Sequence, residues 1–397
     1  MVWAVPAAVL VAGGFALGIY LYILSQVTIG TGEAVVGRRN AEAFGWPLRL
    51  TGRVNVLLIG IDVALDNRRQ VMNFARADTI ILVSFDPDGE RITALSIPRD
   101  TRAEIPRHGV TKINASYAYG GPRLTIKTVE RLLGVRVDYY IKLGPESFAR
   151  LVDAVGGIEI DVEKDMRYTD SWAGFTVDLK KGRQRLNGDQ VAGYIRFRHD
   201  PLGDIGRVNR QHQVIMTLVR QLKQPSTLLA GPRLLGAFAR NAQTNLTRAE
   251  LMTLGVFAVR ARGAPLRVET LPGNFAPLYW EPDPVRMRAV IADLFYGLAE
   301  EDLKTLPIEV QNASGVPGLG QQAAARIGAL GFKMVTVRAA EEPAEVTTII
   351  DRADRPRTAR ALASALGGFA VRKEPPAPGG GITVLLAKDA VAKLRGP

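Results

Sequence analysis

Val54 to Asp62 reads VNVLLIGID, a continuous apolar run closed by an acid. A run of this length bounded by turn residues fits a strand buried on both faces. Asp62 then stands at its carboxyl end, where open α/β sheets bind ligands. Working outward, Thr79 to Phe85 is a second such run, preceded by Arg76-Ala-Asp78 and followed by the turn Asp86-Pro-Asp-Gly89. The two are expected to pair. A third strand, Ile92 to Ile97, ends in Pro98-Arg99-Asp100-Thr101, so proline stops it and delivers an arginine and an acid to the same edge.

Downstream, Val110 to Arg131 reads as a loop, TKINASYAYGG, feeding an amphipathic helix that starts near Pro122. Leu143 to Val155 reads as a further helix, ended by Gly156-Gly157 and followed by a strand, Ile158 to Val162. A loop holding Tyr168 and Trp172 leads to a short helix from Asp189, and helix, loop and helix continue from Val208 to about Arg262. Strands alternating with helices make this an α/β domain of roughly 250 residues.

The densest cationic stretch is Tyr194 to Gln213, YIRFRHDPLGDIGRVNRQHQ. In an extended segment Arg196 and Arg198 share one face. Arg207 and Arg210, ahead of an apolar run, read as i, i+3 neighbours on a helix. Facing one another, the pairs make a four-pronged anion site, since guanidinium forks match phosphate oxygens. The same spacing also fits surface arginines salt-bridged to Asp200, Asp204 or a nearby Glu.

A net charge of +12 indicates an anionic partner: phosphorylated polymer, anionic lipid surface or nucleic acid. With no cysteine, disulfides, thiolate metal sites and thiol catalysis are excluded. Three histidines make a His-rich zinc site a poor expectation, and any metal should be hard and oxygen-liganded. Val2 to Leu24 is uncharged, apolar and long enough to span a bilayer, which favours a retained anchor (residues 1–28) with a connector (29–52). Arg38 and Arg39 follow the run and no Lys or Arg precedes it, a bias that reads as cytoplasmic on the C-terminal side.

The blocks NVLLIGID, RADTIILVSFD, SIPRDT, KINASYAYGG, LVDAVGGIEIDV, LNGDQVAGYIRFRHD and GRVNRQ, in that order, resemble the LytR-CpsA-Psr family of membrane-anchored phosphotransferases of bacterial envelopes. The likeness is dense from Val54 to Arg220. It implies an LCP-type domain (53–300) with a mixed central sheet flanked by helices. It also implies an enzyme that moves a glycopolymer from a polyprenyl pyrophosphate carrier to a cell-wall acceptor, with a peptidoglycan sugar hydroxyl as the expected acceptor. Mg²⁺ (or Mn²⁺) assists, the carrier tail sits in an apolar pocket, and the bulk of the chain lies on the extracytoplasmic side of the cell membrane, against the charge bias just noted.

Carried over by position, Asp62 and Asp78 match the family's metal-side carboxylates, with Arg76 beside the second. Arg99 matches its strand-end arginine. Arg196, Arg198, Arg207, Arg210 and Gln211 match its distal cationic block, and Lys112 and Asn114 a loop near the pyrophosphate. Arginine forks and a hard cation stabilise the charge that develops when polyprenyl phosphate departs. The acceptor hydroxyl needs a general base, for which Asp78, Asp204 and His199 are candidates. Asp100 reads as a structural partner for one of the arginines. The segment from Val63 to Ala77 is longer than the resemblance leads one to expect, which affects the acceptor side of the site.

From Leu306 the pattern restarts as a βαββαβ module (306–392): strands Ile308 to Gln311, Lys333 to Val337, Val346 to Ile350 and Ile382 to Leu386, with helices Leu319 to Leu330 and Pro356 to Leu366. That order reads as a small split βαβ sandwich, and resembles the accessory C-terminal domain of some LytR-type proteins. Two other functions fit parts of the chain. A tethered regulator binding nucleic acid would use the charge, but no helix-turn-helix or zinc motif is present and nucleic acid is not an expected partner outside the membrane. A non-catalytic carrier- or glycopolymer-binding protein would use the arginines without needing the Asp62 and Asp78 pair.

Overall fold

The computed structural model describes residues 40–45, 48–62, 76–170, 175–197, 242–264, 266–376 and 380–394, with scattered positions between 206 and 221. Among them no helix is long and apolar enough to cross a membrane, and the expected anchor, Val2 to Leu24, lies outside the described residues.

Six strands form the central sheet of the first domain. They are β1 (Val54–Asp62), β2 (Arg76–Asp86), β3 (Arg91–Ile97), β4 (Tyr139–Leu143), β5 (Ala242–Thr244) and β6 (Arg267–Thr270). Their spatial order is β5-β4-β1-β2-β3-β6. The sheet is mixed: β1 with β4 and β3 with β6 are parallel, while β1 with β2, β2 with β3 and β4 with β5 are antiparallel. The antiparallel pair expected of the first two runs is therefore formed.

Both faces of this sheet are covered, which is why its strands are apolar throughout. On one face Leu57, Ile59, Ile80, Leu82, Leu95 and Ile97 pack with Ile126, Val129 and Leu133 of α1 (Ala115–Leu133). On the other, Val54, Val56, Tyr139 and Ile141 pack with Leu246 and with Leu254 of a later helix, Arg248–Arg260.

Several expectations are corrected. The segment read as a loop before Pro122 is already structured: Gly109–Lys112 is a strand paired with Arg102–Ile105, and α1 begins at Ala115. Gly120 and Gly121 break that helix, the latter at φ 58°, and Pro122 restarts it, which is why the sequence signals only the second start. The helix expected from Leu143 begins at Pro145 (Pro145–Ala154), and the residues before it form β4. The loop around Tyr168 is a hairpin, Met166–Asp170 with Phe175–Leu179. Another pair, Ile158–Val162 with Gly182–Leu186, joins it around a separate core of Ile158, Val177, Val191, Tyr194 and Phe197. The last three lie on or beside α2 (Gly188–Arg196), whose start is a capping box between Asn187 and Gln190.

The C-terminal module has five strands, not four: β7 (Ile308–Asn312), β8 (Val335–Ala339), β9 (Thr348–Asp351), β10 (Ala370–Lys373) and β11 (Ile382–Leu386), ordered β8-β7-β11-β9-β10. Its two βαβ units are not split. Each closes on an adjacent parallel partner, β7 on β8 and β9 on β10, and β11 lies between the units. Every residue of β10 is exposed and it forms one edge, so it carries no buried alternation for the sequence to reveal. One continuous core links this module to the first domain through Phe295, Leu298, Leu303 and Leu306.

Candidate active site

The site grows from an irregularity between β1 and β2. Gly60 lies opposite Thr79, but Ile61 lies opposite Ala77 and Asp62 opposite Arg76, so Asp78 is the extra residue of a β-bulge. Bulges interrupt the ladder and re-aim a side chain. Glycine is needed at the approach to it: a Cβ on Gly60 would sit 2.8 Å from the Cβ of Thr79.

β3 ends beside this bulge in a turn, with the Thr101 N–H donating to the Pro98 carbonyl at 2.9 Å. The backbone of Asn114 ties the turn to β2. Its N–H donates to the Arg99 carbonyl at 3.2 Å, and its own carbonyl accepts from the Ala77 N–H at 3.4 Å. Asn114 is buried as a result. The side chains then form a line of alternating charge. Arg99 Nη1 donates to Asp78 Oδ1 at 3.2 Å, Arg99 Nε lies 3.6 Å from Asp100 Oδ2, and Lys112 Nζ lies 2.9 Å from Asp100 Oδ1. Asp78 and Arg99 keep 17% and 19% of their side-chain surface, enough for a ligand to reach them. Arg76 is exposed at the start of β2.

The distal cationic block is placed in part. Arg196 is the last residue of α2, so Tyr194 to Arg196 is helical and the extended R-x-R reading is corrected: the apolar positions Val191, Tyr194 and Phe197 of that helix bury against the hairpins and decide its conformation. Arg210 is helical as expected, but 2% exposed. Its Nη1 meets Glu163 Oε1 at 2.8 Å, its Nη2 donates to the Phe197 carbonyl at 2.7 Å, and its guanidinium lies over the rings of Tyr194 and Phe197. Burial works to raise the Glu163 pKa, but hydrogen bonds from its own backbone, Arg210 and Tyr194 outweigh it and hold the carboxyl below its usual range. These contacts tie Arg210 to the separate core and take it out of the solvent-facing cluster the spacing suggests. Arg198, His199, Asp204, Arg207 and Gln211 lie outside the described residues.

Among the described residues no group of three or more His, Cys, Asp or Glu side chains could hold a metal. Two acids at neighbouring strand ends, Asp62 and the bulged Asp78, match an ion that takes few carboxylates and fills its shell with water and phosphate oxygens. Leu58, Val83, Phe85 and Leu143 lie half-buried on the sheet face turned from α1, and so does Phe257 of the helix that covers it. A cavity of about 330 Å³ lined by Leu50, Pro87, Phe257 and Arg260, among others, lies beside the β2–β3 turn, at the end away from Asp78.

Sequence reading missed β4, with Tyr140 and Lys142 on it; the aromatic and β-branched run YYI was the available signal.

The chain belongs to the LytR_cpsA_psr family, whose model matches residues 28–296. A second model, described as LytR cell envelope-related transcriptional attenuator, matches residues 305–389. A Bacillus cereus protein named polyisoprenyl-teichoic acid–peptidoglycan teichoic acid transferase TagU is 34% identical over 62% of this chain and 78% of its own length. A Staphylococcus aureus protein named regulatory protein MsrR is 34% identical over 60% of this chain and 72% of its own. Of solved structures, B. subtilis TagV is 27% identical with a TM-score of 0.51, covering 61% of this chain and 96% of that one. Protein gbs0355 of Streptococcus agalactiae is 25% identical with a TM-score of 0.55, covering 65% and 90%.

Proposed function

We propose that this chain transfers a glycopolymer from a polyprenyl pyrophosphate carrier to a hydroxyl of a cell-wall acceptor, a peptidoglycan sugar, and releases polyprenyl phosphate. The acceptor oxygen bonds to the sugar-side phosphorus, the anhydride P–O bond breaks, and the acceptor proton passes to a carboxylate. The observation that carries the reading is the Asp78–Arg99 pair at the strand ends, in a chain related to a named teichoic acid transferase. Arg99 would meet oxyanion charge as it develops, and the bulged Asp78 would take the proton or hold a cation. Asp62 and Asp78 would hold Mg²⁺ or Mn²⁺, which would neutralise diphosphate charge when bound. The half-buried apolar strip around Leu58, Val83 and Phe85 would accept the carrier chain. The chain would work as a single-pass membrane protein with its bulk outside.

The test is in vitro attachment of lipid-linked glycopolymer to peptidoglycan by the full chain in detergent or vesicles, with and without Mg²⁺. Asp78→Ala and Arg99→Ala should each lower transfer about 100-fold or more with the fold intact. Undiminished attachment by both variants would remove Asp78 and Arg99 from the chemistry, and no attachment by the wild-type chain would instead support a non-catalytic binding or regulatory role, the class named for the Staphylococcus relative.

A further inference from the structure

Lys142 and Tyr140 are i, i+2 neighbours on β4 and share its α1-side face. Lys142 lies beside Ile59 of β1, which lies opposite Ile80 of β2. Two strand spacings, about 10 Å, therefore separate Lys142 laterally from the strand carrying Asp78, close to the same sheet end.

Three observations mark this spot. Lys142 is half-buried, and no ion pair or hydrogen bond holds its ammonium among the described residues, whereas Lys112 and Arg99 both meet carboxylates. Tyr140 is fully buried and its hydroxyl has no hydrogen-bond partner. Tyr117, from the first turn of α1, packs half-buried against the same core. Burial holds the Lys142 pKa below its usual value and raises that of Tyr117, with the neighbouring Tyr140 adding to the latter.

A desolvated cation lacking a counter-charge, next to a buried donor lacking an acceptor, costs stability in the free protein. An oxyanion that reached the ammonium would bring an acceptor to the same strand face as the hydroxyl. We propose that Lys142 and Tyr140, flanked by Tyr117, form an additional phosphate-oxygen subsite on the α1 side of the sheet, used by the donor during transfer. This rests on the phosphoryl-transfer reading above. The phosphate is either the carrier's diphosphate or a phosphodiester of the polymer.

The test is calorimetric titration of the full chain in detergent with inorganic pyrophosphate and, separately, glycerophosphoglycerol, alongside thermal unfolding without ligand. Lys142→Met should weaken one probe about tenfold, Tyr140→Phe should weaken the same probe less, and Lys142→Arg should retain it. Loss confined to pyrophosphate assigns the diphosphate, and loss confined to the diester assigns the polymer. Without ligand, Lys142→Met and Tyr140→Phe should unfold at the wild-type temperature or above it. Lys142→Met binding both probes like wild type, or unfolding at a lower temperature, would overturn the subsite and leave the transferase reading standing. A wild-type chain that binds neither probe would overturn the subsite, whereas the transferase reading falls only if the full chain fails to attach lipid-linked glycopolymer.

Discussion

Asp78, the unpaired residue of the β1–β2 bulge, accepts a hydrogen bond from Arg99 at 3.2 Å, so a carboxylate of β2 and a guanidinium from the turn after β3 meet where the ladder is broken. Removing either group should cost transfer much more than stability. Asp78→Asn and Arg99→Ala are each expected to lower the rate about 100-fold or more, with the circular dichroism spectrum and unfolding midpoint close to wild type. Transfer assays on both variants check this.

Gly60→Ala tests the bulge without touching a charged residue. The added methyl meets the Thr79 Cβ, which cannot rotate away, and the strands must shift. Overpacking of this kind costs about 1–3 kcal/mol. The shift falls next to Asp62 and Asp78, so transfer should drop further than stability does, and denaturant melts paired with transfer assays separate the two.

Arg210→Ala should behave in the opposite way. It removes a buried guanidinium bonded to Glu163 and the Phe197 carbonyl and leaves a void between two aromatic rings. A loss of about 3 kcal/mol is expected. Activity should follow the folded fraction, so assays well below the melting temperature should recover most of the rate.

Asp138 makes stability depend on pH in the reverse of the usual acid sense. Burial raises its pKa to about 6, against the Asn55 N–H and Arg136, which favour its charged form. The folded chain then holds this proton over a range where the unfolded chain has released it. Its contribution is therefore largest below the ordinary aspartate pKa and is lost as pH rises to about 6. Relative to Asp138→Asn, wild type should lose up to roughly 3 kcal/mol across that window, read from urea midpoints at successive pH values.

Asp302 ties the two domains together. It is buried, meeting Arg355 Nε at 3.2 Å and accepting from Thr358 Oγ1 at 2.6 Å at the start of the helix Pro356–Leu366. Asp302→Ala should cost about 1–3 kcal/mol and speed proteolytic cutting between residues 297 and 307. Unchanged cutting would mean the shared core alone holds the domains.

Where burial and turn chemistry agree, the residues alone determined the outcome. The apolar runs of β1, β2 and β3 are strands because each is buried on both faces, and Pro98 ends the third and sets Arg99 and Asp100 at its edge. The restart of the pattern near Leu306 is legible for the same reason. Tertiary structure decided what depends on partners distant in the chain. Register made Asp78 a bulge, which no spacing within β2 reveals. A separate core of two strand pairs, assembled from segments distant in the chain, drew Arg210 inward and kept Tyr194 to Arg196 helical. Strands as short and mixed as β4, or as exposed as β10, exist only because a neighbour offers an edge to pair with. A sequence records which side chains avoid water, but which backbone edge will be free to receive them is settled only when the sheet assembles.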